Sequence, residues 1–545
     1  MKLTRTRSVS DDSFPTSQLS VLAICRLAEP IAIFSIFPYA WLMVQSFHIG
    51  SENDASFYAG ILISAFSLCE AASGMFWGGV SDRIGRKPVV LLGCCGTMLS
   101  LLMVGFAKSF WFALAGRLLG GLLNGNIGVI QTMVGELVKN PSHEVKANAV
   151  MPFIFNIGTI AGPAIGGILA NPVKGFPSVF PKGGFFDEYP WALPNIVCAT
   201  IMLFSIILSY FYLMETHPDL REGADPAIKH DLGENAPMIG GGSVSEPSVD
   251  LLHDNYGTFN EVEVSTHDEW TVKPGNLSGR SSISEKRADK WLTWRVAMLV
   301  IALGIYTYHS MCFDHLLPIF LQDKRAEEIN ILATGSLFHI EGGAGLSTKT
   351  VGMIMSVNGL IALFIQAVVF PIVADKLGVF RTFMMVTILH PIVFFIVPYL
   401  VLLPENLLFV GIYLCLTIRQ FLSILDYPVL LIMLKQASPA PRYLGKINGL
   451  AASIGASSRM IAPPIAGLLY GEGSKIGFTG LAWYGAGIIA ILGVFQLFAV
   501  PRERDDLATV RSIVPGLAGD HEHIVPKQIV DVTVADSEID VERQG

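Results

Sequence analysis

The chain alternates long apolar runs with short polar connections, and twelve of these runs are long enough for a membrane-spanning helix. A helix needs about 20 mostly apolar residues to cross the hydrocarbon core of a bilayer. Inside hydrocarbon every backbone amide must find its partner within the same element, and these runs are too long and too uniformly apolar for barrel strands. We therefore predict an all-α integral membrane protein with twelve transmembrane helices. The predicted spans, numbered 1 to 12 in chain order, cover residues 19–46, 56–79, 88–107, 110–137, 146–170, 190–214, 294–321, 350–374, 380–403, 407–434, 444–470 and 478–500.

Polar segments divide the spans into two sets of six. The predicted parts are a tail at 1–18, a six-helix bundle at 19–214, a loop at 215–290, a second six-helix bundle at 291–500 and a tail at 501–545. The loop is rich in Gly, Ser, Asp and Glu, so it has too little apolar material to offset the entropy cost of ordering, and we expect disorder. An even number of spans places both termini and this loop on one side. The moderate excess of Lys and Arg in the short loops there predicts that this side is cytoplasmic.

Composition agrees with lipid as the solvent. The 545 residues are 52% hydrophobic and only 15% charged, whereas soluble proteins carry about 25% charged residues. The seven cysteines lie inside apolar runs without CxxC spacing, which indicates packing residues rather than disulfides or metal ligands. No basic stretch interleaved with aromatics suggests nucleic acid, and we find no nucleophile–base, HExxH or GxxxxGK[ST] motif of an enzyme. We predict neither a metal site nor a cofactor.

An internal repeat relates the two sets of spans. "SDRIG" at 81–85 is echoed by "ADKLG" at 374–378, and each follows the second span of its set. The segment 145–169 aligns without gaps to 445–469. Two related six-helix halves are typical of transporters that bind substrate near the bilayer midplane, between halves that rock against each other.

The turn between spans 2 and 3, "GGVSDRIGRK", places one acid and three bases between two apolar runs. Gly78 would let helices approach closely, and Gly85 would allow a sharp turn. Asp82 could face the positive N-terminal end of a neighbouring helix, which would form a latch that breaks when the cytoplasmic side opens. The alternative is a basic anchor on the cytoplasmic side. The predicted latch residues are Gly78, Asp82, Arg83, Gly85, Arg86 and Lys87.

This pattern, G-x-x-x-D-R-x-G-R-K, resembles the signature loop of the major facilitator superfamily. The resemblance covers the spans and implies that Asp82 is a conformational latch. The second copy departs from the pattern, with Pro371 in place of the first Gly and with Val379 and Phe380 in place of the bases. A strong latch in the second half is therefore not expected.

Two further motifs resemble those of the superfamily's drug:proton antiporters with twelve spans. Arg117 in "GRLLGGLLNG" of span 4 matches an R-x-x-x-G motif that is linked there to proton coupling, although an ion pair with span 1 is the alternative. Span 5 has a strip of small residues, which resembles the antiporter motif but could equally serve packing alone. The strip and its proline are Gly158, Gly162, Pro163, Gly166 and Gly167. "CRLAEPI…PY" in span 1 resembles fungal members, nearest the zinc-induced-facilitator-like group.

Away from their ends, the predicted spans contain eight charged residues, four basic and four acidic. Arg26 and Glu29 are three apart in span 1, so they share a helical face and can pair. An acid that gains and loses a proton as its solvation changes can couple proton flow to transport, but a permanent salt bridge is the alternative for each one. The proton-coupling candidates are Glu29, Glu70, Arg117, Asp314 and Asp426, and the substrate-cavity candidates are Arg26, His309, Arg419 and Arg459.

These observations predict a secondary transporter that exports small amphipathic organic compounds in exchange for protons. One alternative is a proton-coupled importer of a nutrient or organic anion, and another is a membrane sensor that transports nothing. The expected partners are a small-molecule substrate, protons and the lipid bilayer, and the expected state is a monomer. We take the plasma membrane as the location, with the vacuolar membrane as the alternative.

Overall fold

We analysed a computed structural model, which describes residues 15–138, 141–217, 220, 291–325, 342–439 and 443–501. Most of the predicted tails and of the predicted central loop lie outside the described residues. The twelve spans consist of the following helices: span 1, Thr16–Phe34 and Ala40–Ser46; span 2, Ala55–Ile84; span 3, Arg86–Gly105; span 4, Phe110–Leu123 and Asn126–Leu137; span 5, Pro141–Leu169; span 6, Ala192–Tyr212; span 7, Trp294–Gln322; span 8, Thr348–Phe364 and Phe370–Leu377; span 9, Val379–Ile396; span 10, Glu405–Gln436; span 11, Leu444–Lys475; span 12, Gly480–Leu497.

Within the described ranges, ten spans are long and apolar enough to cross a membrane by length and composition. Spans 5 and 11 are also long helices, of 29 and 32 residues. Both are rich in Gly and small polar residues, because they pack between the two halves. The all-helical fold class predicted from the apolar runs is confirmed.

The helix packing follows the internal repeat. In the first half span 1 packs on spans 5 and 6, span 3 packs on spans 4 and 6, and span 2 packs on span 4. Each pair recurs six spans later: span 7 packs on spans 11 and 12, span 9 on spans 10 and 12, and span 8 on span 10. The halves meet through spans 2 and 11 and through spans 5 and 8.

The halves are in contact at one end of the bundle and separate towards the other. We call the end with Pro15 and Val500 the termini end and the opposite end the far end. Near the far end, Gly60 of span 2 lies against the backbone of Pro463 in span 11. At Gly74, further along span 2 towards the termini end, an added Cβ would meet no atom within 4 Å. We interpret this difference as a cleft between the halves that opens towards the termini end.

Three spans that the apolar pattern predicts as continuous are interrupted. Span 1 breaks after Phe34, just before Pro38, which has no N–H to continue the helix. Span 4 breaks at Asn124, whose side chain bonds outside its own helix. Span 8 contains a π-helical turn over Ile365–Val369. This turn precedes Pro371, and the missing N–H of proline favours such local rearrangement.

Candidate transport site

Asn124 lies at the break in span 4 and bridges two buried acids of other spans. Its amide Nδ2 donates to Glu29 Oε1 at 2.5 Å and to Glu70 Oε1 at 3.0 Å. Its Oδ1 accepts the backbone N–H of Asn126 at 3.1 Å, which fixes the amide orientation and caps the second helix of the span. One neutral amide therefore joins spans 1, 2 and 4.

The two bridged acids have different partners. Glu29 is 1% exposed and accepts from Arg26 Nη1 at 3.0 Å, as the spacing of three residues allows. The Arg26 guanidinium also lies 4.8 Å from the centroid of the Phe155 ring. Glu70 has no cation within 4.0 Å among the described residues, although Arg459, Arg26 and Arg117 interact with it electrostatically from further away. Glu29 is therefore ion-paired within span 1, whereas Glu70 is held by the Asn124 amide and by more distant cations.

Arg117 is buried in the first half, where its described contacts are a carbonyl group and an aromatic ring. Its Nε donates to the Leu62 carbonyl at 3.2 Å, and its guanidinium lies 4.8 Å from the centroid of the Phe66 ring. The side chain is 4% exposed. Among the described residues no carboxylate lies within 4.0 Å of it, so the alternative of a direct ion pair with span 1 does not describe this conformation.

In the second half Arg419 of span 10 is tied to span 7. Its Nη2 donates to Asp314 at 2.8 Å and to Ser310 at 3.0 Å, and its Nη1 donates to Gln420 at 2.8 Å. The Asp314 side chain is 38% exposed, which places this ion pair at the edge of the cleft. Arg459 of span 11 is half-buried and faces the first half.

His309 and Asp426 lie together inside the second half. His309 is 4% exposed and Asp426 is 3% exposed, and both lie between spans 7, 9, 10 and 12. In this conformation the His309 ring lies against His390 inside the second half, and its role in a substrate cavity stays a prediction.

The signature turn forms a charge network within the first half. Asp82 pairs with Arg86, and Arg86 also donates to Glu136 at 3.1 and 3.2 Å. Burial acts to raise the pKa of Glu215, but backbone N–H groups, including those of Arg86 and Lys87, outweigh it and hold this pKa below its ordinary value. Arg86 is thus buried between acids.

One glycine in each copy of the signature turn adopts a backbone conformation that favours glycine. Gly85 has a φ of +103°, in the region that favours glycine, and Gly378 in the second copy has a φ of +78°. An added Cβ at Gly78 would meet no atom within 4 Å, so close helix approach at Gly78 is not a feature of this conformation. Arg83 is exposed beside the turn.

The small residues of span 5 have two separate contacts. Gly158, Gly162 and Gly166 lie against span 1, where an added Cβ at Gly162 would be 2.9 Å from the Ile31 carbonyl oxygen. Gly167 instead lies against Gly352 of span 8, in the other half. The strip therefore packs span 5 within its half, and Gly167 belongs to the interface between halves.

Several residues of the site were not predicted from the sequence. Asn124 was hidden in an apolar run, although "NG" inside such a run is a turn signal. The sequence does not indicate that Glu136 and Glu215 contact the signature turn, because they are 50 and 129 residues away from Arg86. The hydrogen bond between Asn156 and Gln366, which joins the halves in spans 5 and 8, also had no sequence signal.

Two related six-helix halves around a cleft with buried ionisable groups define a membrane transporter. The profile of the Major Facilitator Superfamily matches residues 22–425, and the chain belongs to this superfamily. It is a transporter and not an enzyme.

Known proteins resemble the chain at several levels. It is 39% identical over 508 residues to the major facilitator superfamily multidrug transporter mfsB of Aspergillus fumigatus, which covers 89% of this chain and 83% of that protein. Protein ZINC INDUCED FACILITATOR 1 of Arabidopsis thaliana is 26% identical over 67% of this chain and 66% of its own length. A crystal structure of a D-xylose-proton symporter shares the fold, with a TM-score of 0.62 at 13% identity over 90% of this chain and 98% of that one. The predicted family is confirmed.

Proposed function

We propose that the chain exports small amphipathic organic compounds in exchange for protons. The observation that carries this proposal is the amide of Asn124 between Glu29 and Glu70, beside a cleft that opens to one side only. Proton coupling needs an acid that can be both charged and neutral during the cycle. The 39% identity to a fungal multidrug transporter supports efflux of organic compounds.

Within this proposal Glu70 carries the proton and Glu29 does not. Glu29 accepts a hydrogen bond from Arg26 of its own span, whereas the cations that act on Glu70 include Arg459 of the other half. Because spans 2 and 11 belong to different halves, rocking changes the distance between Glu70 and Arg459. Glu70 then releases its proton while Arg459 is close and binds one when Arg459 moves away.

The orientation completes the proposal. We place the termini end in the cytoplasm, so the described conformation has its cleft open to cytoplasmic substrate, as loading of an exporter requires. Asp82 serves as a latch in the opposite conformation, since here its partner is Arg86 of its own half. We assign a monomer in the plasma membrane, with the vacuolar membrane as the alternative.

Transport into inverted membrane vesicles tests the proposal, with ethidium as the probe. An inward-acidic pH gradient should drive ethidium uptake into vesicles with the parent chain, and Glu70→Gln should abolish this coupled uptake. Glu52→Gln, at an exposed acid beyond the start of span 2, is the matched control and should retain it. Uptake by Glu70→Gln at the parent rate would overturn the assignment of the proton site. If ethidium moves only down its own concentration gradient, and out of the vesicles rather than into them, the result would favour an importer. If ethidium does not move under any gradient, the result would favour a sensor.

A further inference from the structure

The second half contains a small polar pocket that the transport site does not use. It lies between spans 7, 9, 10 and 12 and has a volume of about 10 Å³, roughly the space that one water molecule needs. Its polar lining is Tyr306, His309, Thr387, His390, Asp426 and Gln496. Apolar side chains such as Phe383 and Leu430 complete the wall.

Five buried polar atoms of this lining lack a hydrogen-bond partner among the described residues: His309 Nδ1, Thr387 Oγ1, His390 Nδ1, Asp426 Oδ1 and Gln496 Oε1. Buried polar groups are nearly always hydrogen-bonded, and all five atoms belong to residues that line one space, which indicates an occupant. A water molecule has the right size, and it can donate to carboxyl and amide oxygens while accepting from N–H or O–H groups.

Asp426 is the only carboxyl group in the lining, and its nearest charged neighbours do not neutralise it. His390 Nδ1 lies 3.7 Å from Asp426 Oδ2, which is too long for a hydrogen bond but suits a bridging water. Arg419, seven residues earlier in span 10, is already paired with Asp314. An ionised Asp426 beside a neutral imidazole would leave a net negative charge in an apolar shell, which is strongly unfavourable.

The other titratable groups around Asp426 offer no compensating cation. His309 of span 7 stacks near His390, with ring centroids 4.7 Å apart, and like charges on both rings would repel. The hydroxyl of Tyr306 is used in a bond to the Ser423 carbonyl at 3.0 Å. Span 12 contributes Gln496, which has no charge.

We propose that Asp426, His390 and one water molecule form a second proton-binding site, buried in the second half and separate from Glu70. The proton resides on the Asp426 carboxyl, which donates through the water to neutral His390. On its other ring nitrogen His390 has the Ser423 hydroxyl at 3.3 Å, and Ser423 is one turn of helix after Arg419. The site itself does not depend on the proposed export, although its use in coupling rests on that function.

Infrared difference spectroscopy of the full chain in lipid nanodiscs tests the site. A C=O band of a protonated carboxyl should appear at neutral pH, disappear in Asp426→Asn and shift in frequency in His390→Gln. Glu405→Gln, at an exposed acid at the start of span 10, is the matched control and should leave the band unchanged. Gel filtration and circular dichroism establish that each variant is folded.

The outcomes separate this proposal from the proposed function. A band that is unaffected by both Asp426→Asn and His390→Gln would overturn the second site, whatever the transport assays show. If the band belongs to Asp426 but Glu70→Gln still transports ethidium normally, the second site stands and the Glu70 assignment fails. If both sites act in coupling, Asp426→Asn should lower the number of protons exchanged per ethidium by about half.

Discussion

The contact between Gly167 and Gly352 seals the cleft at the far end, so a single methyl group there should change the conformational equilibrium. A Cβ built at Gly352 would lie 2.6 Å from Gly167 Cα and 2.9 Å from the Pro163 carbonyl oxygen, whereas ordinary contact begins at 3.4 Å. These neighbouring atoms belong to the backbone, so no side chain can rotate away. Spans 5 and 8 must separate by about 0.8 Å, the difference between 3.4 and 2.6 Å.

Forced separation of this kind costs about 1–3 kcal/mol. If the cost falls on the far-end-closed conformation alone, Gly352→Ala should raise the ratio of far-end-open to far-end-closed protein by roughly 5- to 150-fold. The measurement is the labelling rate of Ala466→Cys, a position in span 11 that is 1% exposed, with a membrane-impermeant maleimide. The parent chain without Ala466→Cys corrects for the native cysteines.

Gly135→Ala is the matched control, because an added Cβ at Gly135 in span 4 would meet no atom within 4 Å. This variant should be labelled at the rate of Ala466→Cys alone. Equal labelling rates in folded Gly352→Ala and folded Gly135→Ala would refute the idea that this glycine contact seals the far end.

Three further results are expected. Asn124→Ala should lower the stability of the detergent-solubilised protein by about 2–3 kcal/mol, because two buried carboxylates lose a hydrogen-bond donor. A thermal shift assay measures this change. An unchanged melting temperature would contradict the proposed role of Asn124 as a bridge between Glu29 and Glu70. The carboxylate of Glu215 stabilises the folded state at pH values above its ordinary pKa of 4.5, and this contribution is lost as the pH falls through the lower pKa of the folded state. Glu215→Gln should remove this contribution. The melting temperature of the variant should therefore lie below that of the parent at neutral pH, and the two should converge in acid. Lys475→Gln removes the 3.1 Å ion pair with Asp54. Because an exposed ion pair is weak and is screened by salt, the variant should increase the labelling rate of Ala466→Cys by less than about fivefold at low salt and not at all at high salt.

Much of the fold was predictable, because the physical constraint on a membrane span is local. Length and apolarity identify each span without any tertiary contact, and a spacing of three places Arg26 beside Glu29 on one helical face. The glycine strip of span 5 is also visible as a period of four. The breaks in spans 1, 4 and 8 were not predicted, because apolar runs continue through them.

What the sequence by itself determined is the class: apolar runs dictate helices, and a repeated pattern indicates two related halves. What only the tertiary structure decided is the pairing of charges. Arg86 meets Glu136 and Glu215, Asn124 meets two acids, and Asp426 is enclosed with His390. The physical reason is that a buried charge is stabilised by whichever partners the packed helices bring within a few ångströms, and those partners lie far away along the chain.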